Sequence, residues 1–189
     1  MSIGERAIQE TPKMRWYKAR SGFQAPILAT IALVPAQVED YVEAICAKWY
    51  SRKRGPRWTS AKSNKVKYLL GKGVSSRVEI DVVAVAIKDL RMENVSNTCL
   101  GDIYRNAVYH GLSILPPQAI LELSLALDNI SGLMYLATEL VSSPHGLEHI
   151  FFLDSGRRGW SVGSKYASYV ERLDWSGSHM IFACPYEEE

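Results

Sequence analysis

The stretch "RWYKARSGFQAPILATIALVP", Arg15 to Pro35, contains two apolar segments separated by a short polar turn. The first segment alternates weakly between large apolar and charged side chains, as a strand does. Ser21-Gly22 follows it, a pair that is typical of tight turns. The second segment is a continuous apolar run between prolines, which is typical of a strand covered on both faces. We therefore predict two strands that can pair as a hairpin at the start of an α/β sheet.

Apolar patterns in the rest of the chain predict a series of helices and strands. We predict strands in "SRVEIDVVAVAIKDL" from residue 76, "AILELSLALDN" from residue 119 and "LEHIFFLDS" from residue 147. We predict helices in "AQVEDYVEAICAKWYSRK", "TSAKSNKVKYLLGKG", "NTCLGDIYRNAVYHGLSIL", "SGLMYLATELVSS" and "SVGSKYASYVERL", which begin at residues 36, 59, 97, 131 and 161. This order predicts an α/β fold with a mixed sheet of about five strands flanked by helices.

The ends of the chain differ in character from its middle. Residues 1–13 lack an apolar pattern and we predict a loose arm, followed by a single domain over residues 14–175. Residues 176–189 are predicted to be a C-terminal extension with the acidic tail "YEEE". The runs "ILATIALV" and "VVAVAI" are far shorter than a membrane span, and the first residues do not resemble a secretory signal. We expect a soluble protein with no membrane partner.

The three cysteines are widely separated. Cys46, Cys99 and Cys184 form no C-x-x-C pair, which argues against a disulfide framework or a structural zinc site. This pattern favours a reducing environment and a cytoplasmic location.

Positive charge is concentrated in one part of the sequence. From Lys48 to Val78 there are ten Lys or Arg residues and no acid, whereas from Glu79 onward fifteen acids stand against seven bases. This distribution suggests an anionic partner, either a nucleic acid or an acidic protein, and a solvated basic surface remains the alternative interpretation. A homo-oligomer or a complex subunit is compatible with this reading. The residues that we predict to bind the partner are Lys18, Arg20, Arg52, Lys53, Arg54, Arg57, Lys62, Lys65 and Lys67.

Carboxylates at predicted strand ends raise a second possibility. "LALDN" ends in Asp128 and "FFLDS" in Asp154, and two acids from neighbouring strands could hold Mg²⁺ for phosphodiester hydrolysis. Glu79 or Asp81 would supply a third acid. The commoner role of such residues is in turns and helix caps, because Asp-Asn and Asp-Ser before glycine are good turn sequences.

The segment "SPHGLEHI" contains a third, weaker motif. His145, Glu148 and His149 have the H-x-x-E-H spacing of inverted zinc proteases. That chemistry needs both histidines on one helix face, but a proline and a glycine flank the first histidine and a strand is predicted next. A surface turn leading into a strand is the better interpretation.

The order of elements resembles the domain-of-unknown-function family 3800, whose members are ribonuclease H-like and are presumed metal-dependent phosphodiesterases. That family opens with a Tyr-Ile-Asp-Glu-Ser-Gly strand and an apolar strand ending in Val-Pro, where this chain has "YKARSGF" and "ILATIALVP". "LALDN" and "FFLDS" resemble two later strands of the family, and "VGSKYASYV" resembles its final helix. The resemblance covers residues 14–173 and implies a ribonuclease H-like fold.

The departures from this family fall on its acidic residues. Ala19 and Arg20 stand where the family has Asp-Glu, and Ser168 stands where it has Asp. One matched carboxylate, Asp128, cannot hold a pair of metal ions, and Arg20 would place a cation where the metal belongs. The resemblance therefore implies a catalytically inactive nuclease-like domain without a cofactor, which acts as a binding module. The alternative is a residual Mg²⁺-dependent nuclease.

Overall fold

The described residues form a sheet with helices on both of its faces. The computed structural model describes residues 14–35, 40–41, 43–44, 74–127, 132–142, 148–156 and 159–184. The helix predicted from residue 59 lies outside these ranges, as does the predicted N-terminal arm. Of the helix predicted from residue 36, the four described residues are helical.

Eight strands are present in the described ranges. They are β1 (Trp16–Lys18), β2 (Gln24–Leu33), β3 (Val78–Ala86), β4 (Gly132–Leu136), β5 (Val141–Ser142), β6 (Glu148–Gly156), β7 (Gly159–Tyr166) and β8 (His179–Ala183). Their order in the sheet is β1-β2-β3-β8-β4-β6-β5, and β7 also pairs with β6. β7 pairs along the whole of one side of β6 and forms the far edge of the sheet. The other side of β6 is shared by β4 and β5.

The sheet is mixed, because β4 and β8 are parallel while every other pairing is antiparallel. The predicted α/β class with a mixed sheet is confirmed. The predicted number of about five strands is wrong, because four of the observed strands, β4, β5, β7 and β8, lie in segments that the sequence patterns assigned to helices or to a terminal extension.

Each face of the sheet is covered by a helix whose full length lies in the described ranges. The first face, toward which Val83 points, carries α1 (Leu100–Tyr109), and its core includes the buried side chains of Leu100, Ile103 and Phe182. The second face, toward which Val82 points, carries α2 (Ala119–Ala126), which contacts β2. Two short 3₁₀ helices, Ile87–Leu90 and Val95–Asn97, connect β3 to α1.

Three predicted elements have the opposite type in the structure. The segment predicted as a strand from residue 119 is the helix α2, and the segments predicted as helices from residues 131 and 161 contain β4 and β7. Leu121, Leu123 and Leu125 alternate with other residues and mimic a strand, yet Ala, Leu and Glu favour a helix. Gln118 is the N-cap of this helix and separates it from Pro116-Pro117. β4 owes its extended form to β6 and β8 on either side of it, and β7 owes its extended form to pairing along β6, so the cause is nonlocal in both cases.

The predicted boundary at residue 175 is also wrong. The strand β8 lies between β3 and β4, and its residues Met180, Ile181 and Phe182 are fully buried. Residues 179–183 therefore belong to the centre of the sheet. The acidic tail itself, residues 185–189, lies outside the described ranges.

No helix in the described ranges is long and apolar enough to cross a membrane.

Candidate nucleic-acid interface

The basic stretch of the sequence leaves the sheet and returns to it at one point. β2 ends beside the start of β3, because Leu33 pairs with Val78. Gln118, which precedes α2 and is 1% exposed, forms hydrogen bonds to the chain on both sides of this point. Its Nε2 donates to the carbonyl oxygen of Val34 at 2.6 Å, and its Oε1 accepts the N–H of Val74 at 3.0 Å. One buried side chain thus ties the departing chain to the returning chain.

Residues 34–77, called the basic excursion below, are therefore one insertion between two adjacent antiparallel strands. The excursion contains all ten cations of the basic stretch. The described residues establish where it is attached to the sheet. The predicted contact residues that lie outside the described ranges are Arg52, Lys53, Arg54, Arg57, Lys62, Lys65 and Lys67.

The start of the excursion is fixed to α2 by a buried tyrosine. Tyr41 is 4% exposed, its hydroxyl donates to Glu122 Oε1, and it accepts a hydrogen bond from Gln118 Nε2 at 3.0 Å. Burial, reinforced by the Glu122 carboxylate, raises the pKa of Tyr41 far above its ordinary value. The phenol therefore stays protonated and remains a donor to Glu122.

The second predicted basic element, Lys18 and Arg20, is called the basic edge below. Lys18 ends β1, the edge strand, and Arg20 lies in the turn to β2; both side chains are exposed. The turn is ordered by backbone hydrogen bonds from Ala19 N to Phe23 O at 2.8 Å and from Gly22 N to Ala19 O at 3.0 Å. Arg20 is therefore presented on a defined turn.

A buried histidine holds the same turn against α1. Ser21 Oγ and His110 Nδ1 are 2.8 Å apart, and His110 is 1% exposed. The Tyr17 hydroxyl donates to the His110 carbonyl oxygen at 2.8 Å. The stretch "YKARSGF" is therefore an ordered strand end, with its cations directed outward and its aromatic residues Tyr17 and Phe23 in the core.

The basic edge and the attachment point of the excursion lie at opposite ends of β2. Lys18 pairs with Gln24 at the start of this strand, whereas Leu33 at its end pairs with Val78. Nine residues at about 3.3 Å each separate the two levels by about 30 Å. Lys18 and Arg20 therefore lie far from the point where the segment that contains the other seven predicted contact residues joins the sheet.

Asp81 is engaged in an ion pair on the first face of the sheet. Arg15 Nη2 and Nη1 lie 2.7 and 3.1 Å from its two carboxylate oxygens, and Thr30 Oγ1 donates to Oδ1 at 2.6 Å. Glu79, the other proposed third acid, pairs with Arg77 at 2.7 Å. Both carboxylates thus have a cationic partner within the described residues.

Asp81 and Asp154 cannot share a metal ion. Asp154 of β6 pairs with Leu133 of β4. The next residue of β4, Met134, pairs with His179 of β8, which in turn pairs with Ala86 of β3. Asp154 is thus six residues further along the β3 direction than Asp81, or about 20 Å, and three strands away. Ligand oxygens lie only about 2.0–2.6 Å from a bound Mg²⁺ or Ca²⁺. The expectation that Asp81 or the neighbouring Glu79 would complete a site with Asp154 is therefore wrong, while Asp128 lies outside the described ranges.

The zinc-protease motif does not have its required geometry. Glu148 and His149 are consecutive residues of the strand β6, so their side chains point to opposite faces of the sheet. His145 lies outside the described ranges. The interpretation as a turn leading into a strand agrees with β6. Among the described residues, no group of three or more His, Cys, Asp or Glu side chains is arranged to hold a metal ion.

The sequence matches no family model, and comparison with curated proteins and with solved structures gives no match.

Two residues of structural importance to this interface had no signal in the sequence patterns. Gln118 stands between two prolines and an apolar helix, and its role depends on Val34 and Val74, which are distant in sequence. Trp16 looks like an ordinary strand residue, yet it is 51% exposed. The alternation of β1 would have revealed Trp16 once Tyr17 was known to point into the core.

Proposed function

We propose that this protein is a noncatalytic nucleic-acid-binding module whose main contact is the basic excursion. The observation that carries this proposal is the attachment of the excursion. Ten cations occur in one insertion whose two ends are tied together by Gln118 at a single end of the sheet. Cations concentrated in this way release counterions from a phosphate backbone, which is the main source of sequence-independent affinity.

The resemblance to the domain-of-unknown-function family 3800, with its ribonuclease H-like fold, stays a prediction. Two elements on which it rested, "LALDN" and "VGSKYASYV", have the opposite secondary structure here. The proposal of a binding module therefore rests on the charge distribution of the chain and on the fold. The ion pair between Arg15 and Asp81 supports it, because this acid is committed to a structural partner.

The test is a titration of labelled single- and double-stranded DNA and RNA at about 50 and about 200 mM salt. We expect log K to fall linearly with log salt. Reversing the charge of three cations of the excursion, R52E/K53E/R54E, should weaken binding and flatten the salt slope. The matched control is K88E/R91E/R105E, which reverses three exposed cations on the other side of the sequence boundary at Glu79.

The control separates local from overall charge, because each triple variant changes the net charge by the same amount. Equal weakening by both triples would show that net charge matters and would refute the excursion as the binding element. Absence of any binding by the wild type would leave an acidic protein as the partner. Cleavage with Mg²⁺ or Mn²⁺ that Asp128→Asn abolishes would refute the noncatalytic reading and support the nuclease alternative.

A further inference from the structure

We infer that the basic edge and Trp16 form a contact for unpaired nucleobases, so that the protein favours single-stranded over double-stranded nucleic acid. This inference rests on the proposed function and adds the class of nucleic acid. It concerns a surface about 30 Å along β2 from the attachment point of the excursion.

Trp16 is directed outward by its neighbour. Tyr17 is 9% exposed and donates to the His110 carbonyl oxygen, so it holds β1 with this side chain on the first face. Alternation along the strand then places Trp16 and Lys18 together on the second face. Trp16 is 51% exposed, an unusual state for tryptophan, whose large side chain is highly buried on average. An aromatic face and an ammonium group therefore lie side by side on the edge of the sheet.

The charges around Trp16 fit an anionic polymer. Residues 14–35 contain three cations and no acid. One of them, Arg15, is paired with Asp81, while Lys18 and Arg20 form no ion pair within the described part of the chain. These two side chains remain available to phosphates on either side of a base that stacks on Trp16.

The turn that forms part of this surface is also held by hydrogen bonds. The turn that carries Arg20 is fixed by two backbone hydrogen bonds and by the contact of Ser21 with the buried His110. A preorganised contact loses less entropy on binding than a flexible one. An exposed strand edge with a tryptophan would otherwise favour association between chains, and the cation at Lys18 opposes that.

The aromatic ring decides between single and double strands. In a duplex the faces of the bases are already stacked, so a tryptophan on a strand edge reaches only the backbone. In a single strand the faces are free, and stacking on an aromatic side chain is largely independent of sequence. Cations alone bind both forms, so the preference should depend on Trp16 specifically.

The test compares a labelled single-stranded oligonucleotide with its duplex at one salt concentration. We expect Trp16→Ala to weaken single-strand binding by about fivefold or more, the effect of losing one stacked base, and to change duplex binding by less than about twofold. The salt slope should stay unchanged, because stacking removes no counterions. Trp16→Phe keeps an aromatic face and should retain most of the affinity, which separates loss of stacking from loss of fold.

Tyr109→Ala is the matched control, because Tyr109 is an aromatic residue that is 73% exposed on α1. This variant should bind both nucleic acids like the wild type. Wild-type binding with an unchanged single-strand affinity for Trp16→Ala would overturn this inference alone. Equal losses for single strand and duplex would also overturn it. No binding by the wild type would overturn the inference together with the proposed function.

Discussion

Gln118 should be the residue whose loss most clearly loosens the attachment of the basic excursion. We consider Gln118→Met, which preserves the size and flexibility of the side chain and removes its polar atoms. The glutamine makes three hydrogen bonds, with Val34, Val74 and Tyr41. Each contributes about 0.5–1.5 kcal/mol net to stability. Val34 and Val74 are half-buried, so water can partly replace the lost partner, and the lower part of the range applies.

We therefore expect Gln118→Met to lower the free energy of unfolding by about 2 kcal/mol, measured by equilibrium urea denaturation. Hydrogen exchange gives a local readout, because the Val74 amide should exchange faster while the Ile27 amide, bonded to Arg15 O at 2.9 Å, should follow only the global change. Gln24→Met, at an exposed position of β2, is the control and should change stability by less than about 0.5 kcal/mol. An equal effect of both variants, with Val74 exchange unchanged, would refute this account of the attachment.

Three further predictions follow from contacts elsewhere in the fold. Gly111→Ala should lower the stability in thermal or urea unfolding more than Gly22→Ala. Both glycines have positive φ (75° and 81°), which costs an alanine about 1–2 kcal/mol. A Cβ at Gly111 would in addition lie 2.5 Å from the Tyr17 hydroxyl oxygen, whereas a Cβ at Gly22 would have no atom within 4 Å. Equal costs would contradict this. Burial raises the pKa of Cys184 to about 12, so in a Cys46→Ser background a thiol reagent at neutral pH should modify Cys99 first and Cys184 only after unfolding; rapid modification of two thiols in the folded protein would disprove it. Hydrogen bonds from Cys99 and then Arg105 hold the pKa of Asp102 below its ordinary 3.8, so the ionised carboxylate stabilises the fold fully above that pH and loses this effect as the pH falls below it. Asp102→Asn should therefore reduce the fall in the free energy of unfolding at acid pH, and an unchanged pH profile would refute this.

The patterns in the sequence predicted those elements whose structure depends on local composition. β2, β3 and β6 are rich in apolar and β-branched residues, and α1 has apolar residues at helical spacing; all four were predicted, with small differences at their ends. β4 and β7 were mistaken for helices because their form depends on pairing with strands that are distant in sequence. The alternation in α2 was misleading because this helix is apolar on several sides, with Ala119, Ile120, Leu121 and Leu123 all buried.

The sequence by itself determined that the positive charge is concentrated in one stretch, since charge is a property of composition. It also determined the α/β class, because the periods of apolar residues differ between helices and strands. Only the tertiary structure decided where that charge joins the sheet, because the contacts of Gln118 link residues more than forty positions apart. The tertiary structure likewise placed Asp81 and Asp154 three strands and about 20 Å apart and left Trp16 exposed, since strand order and register are set by long-range pairing.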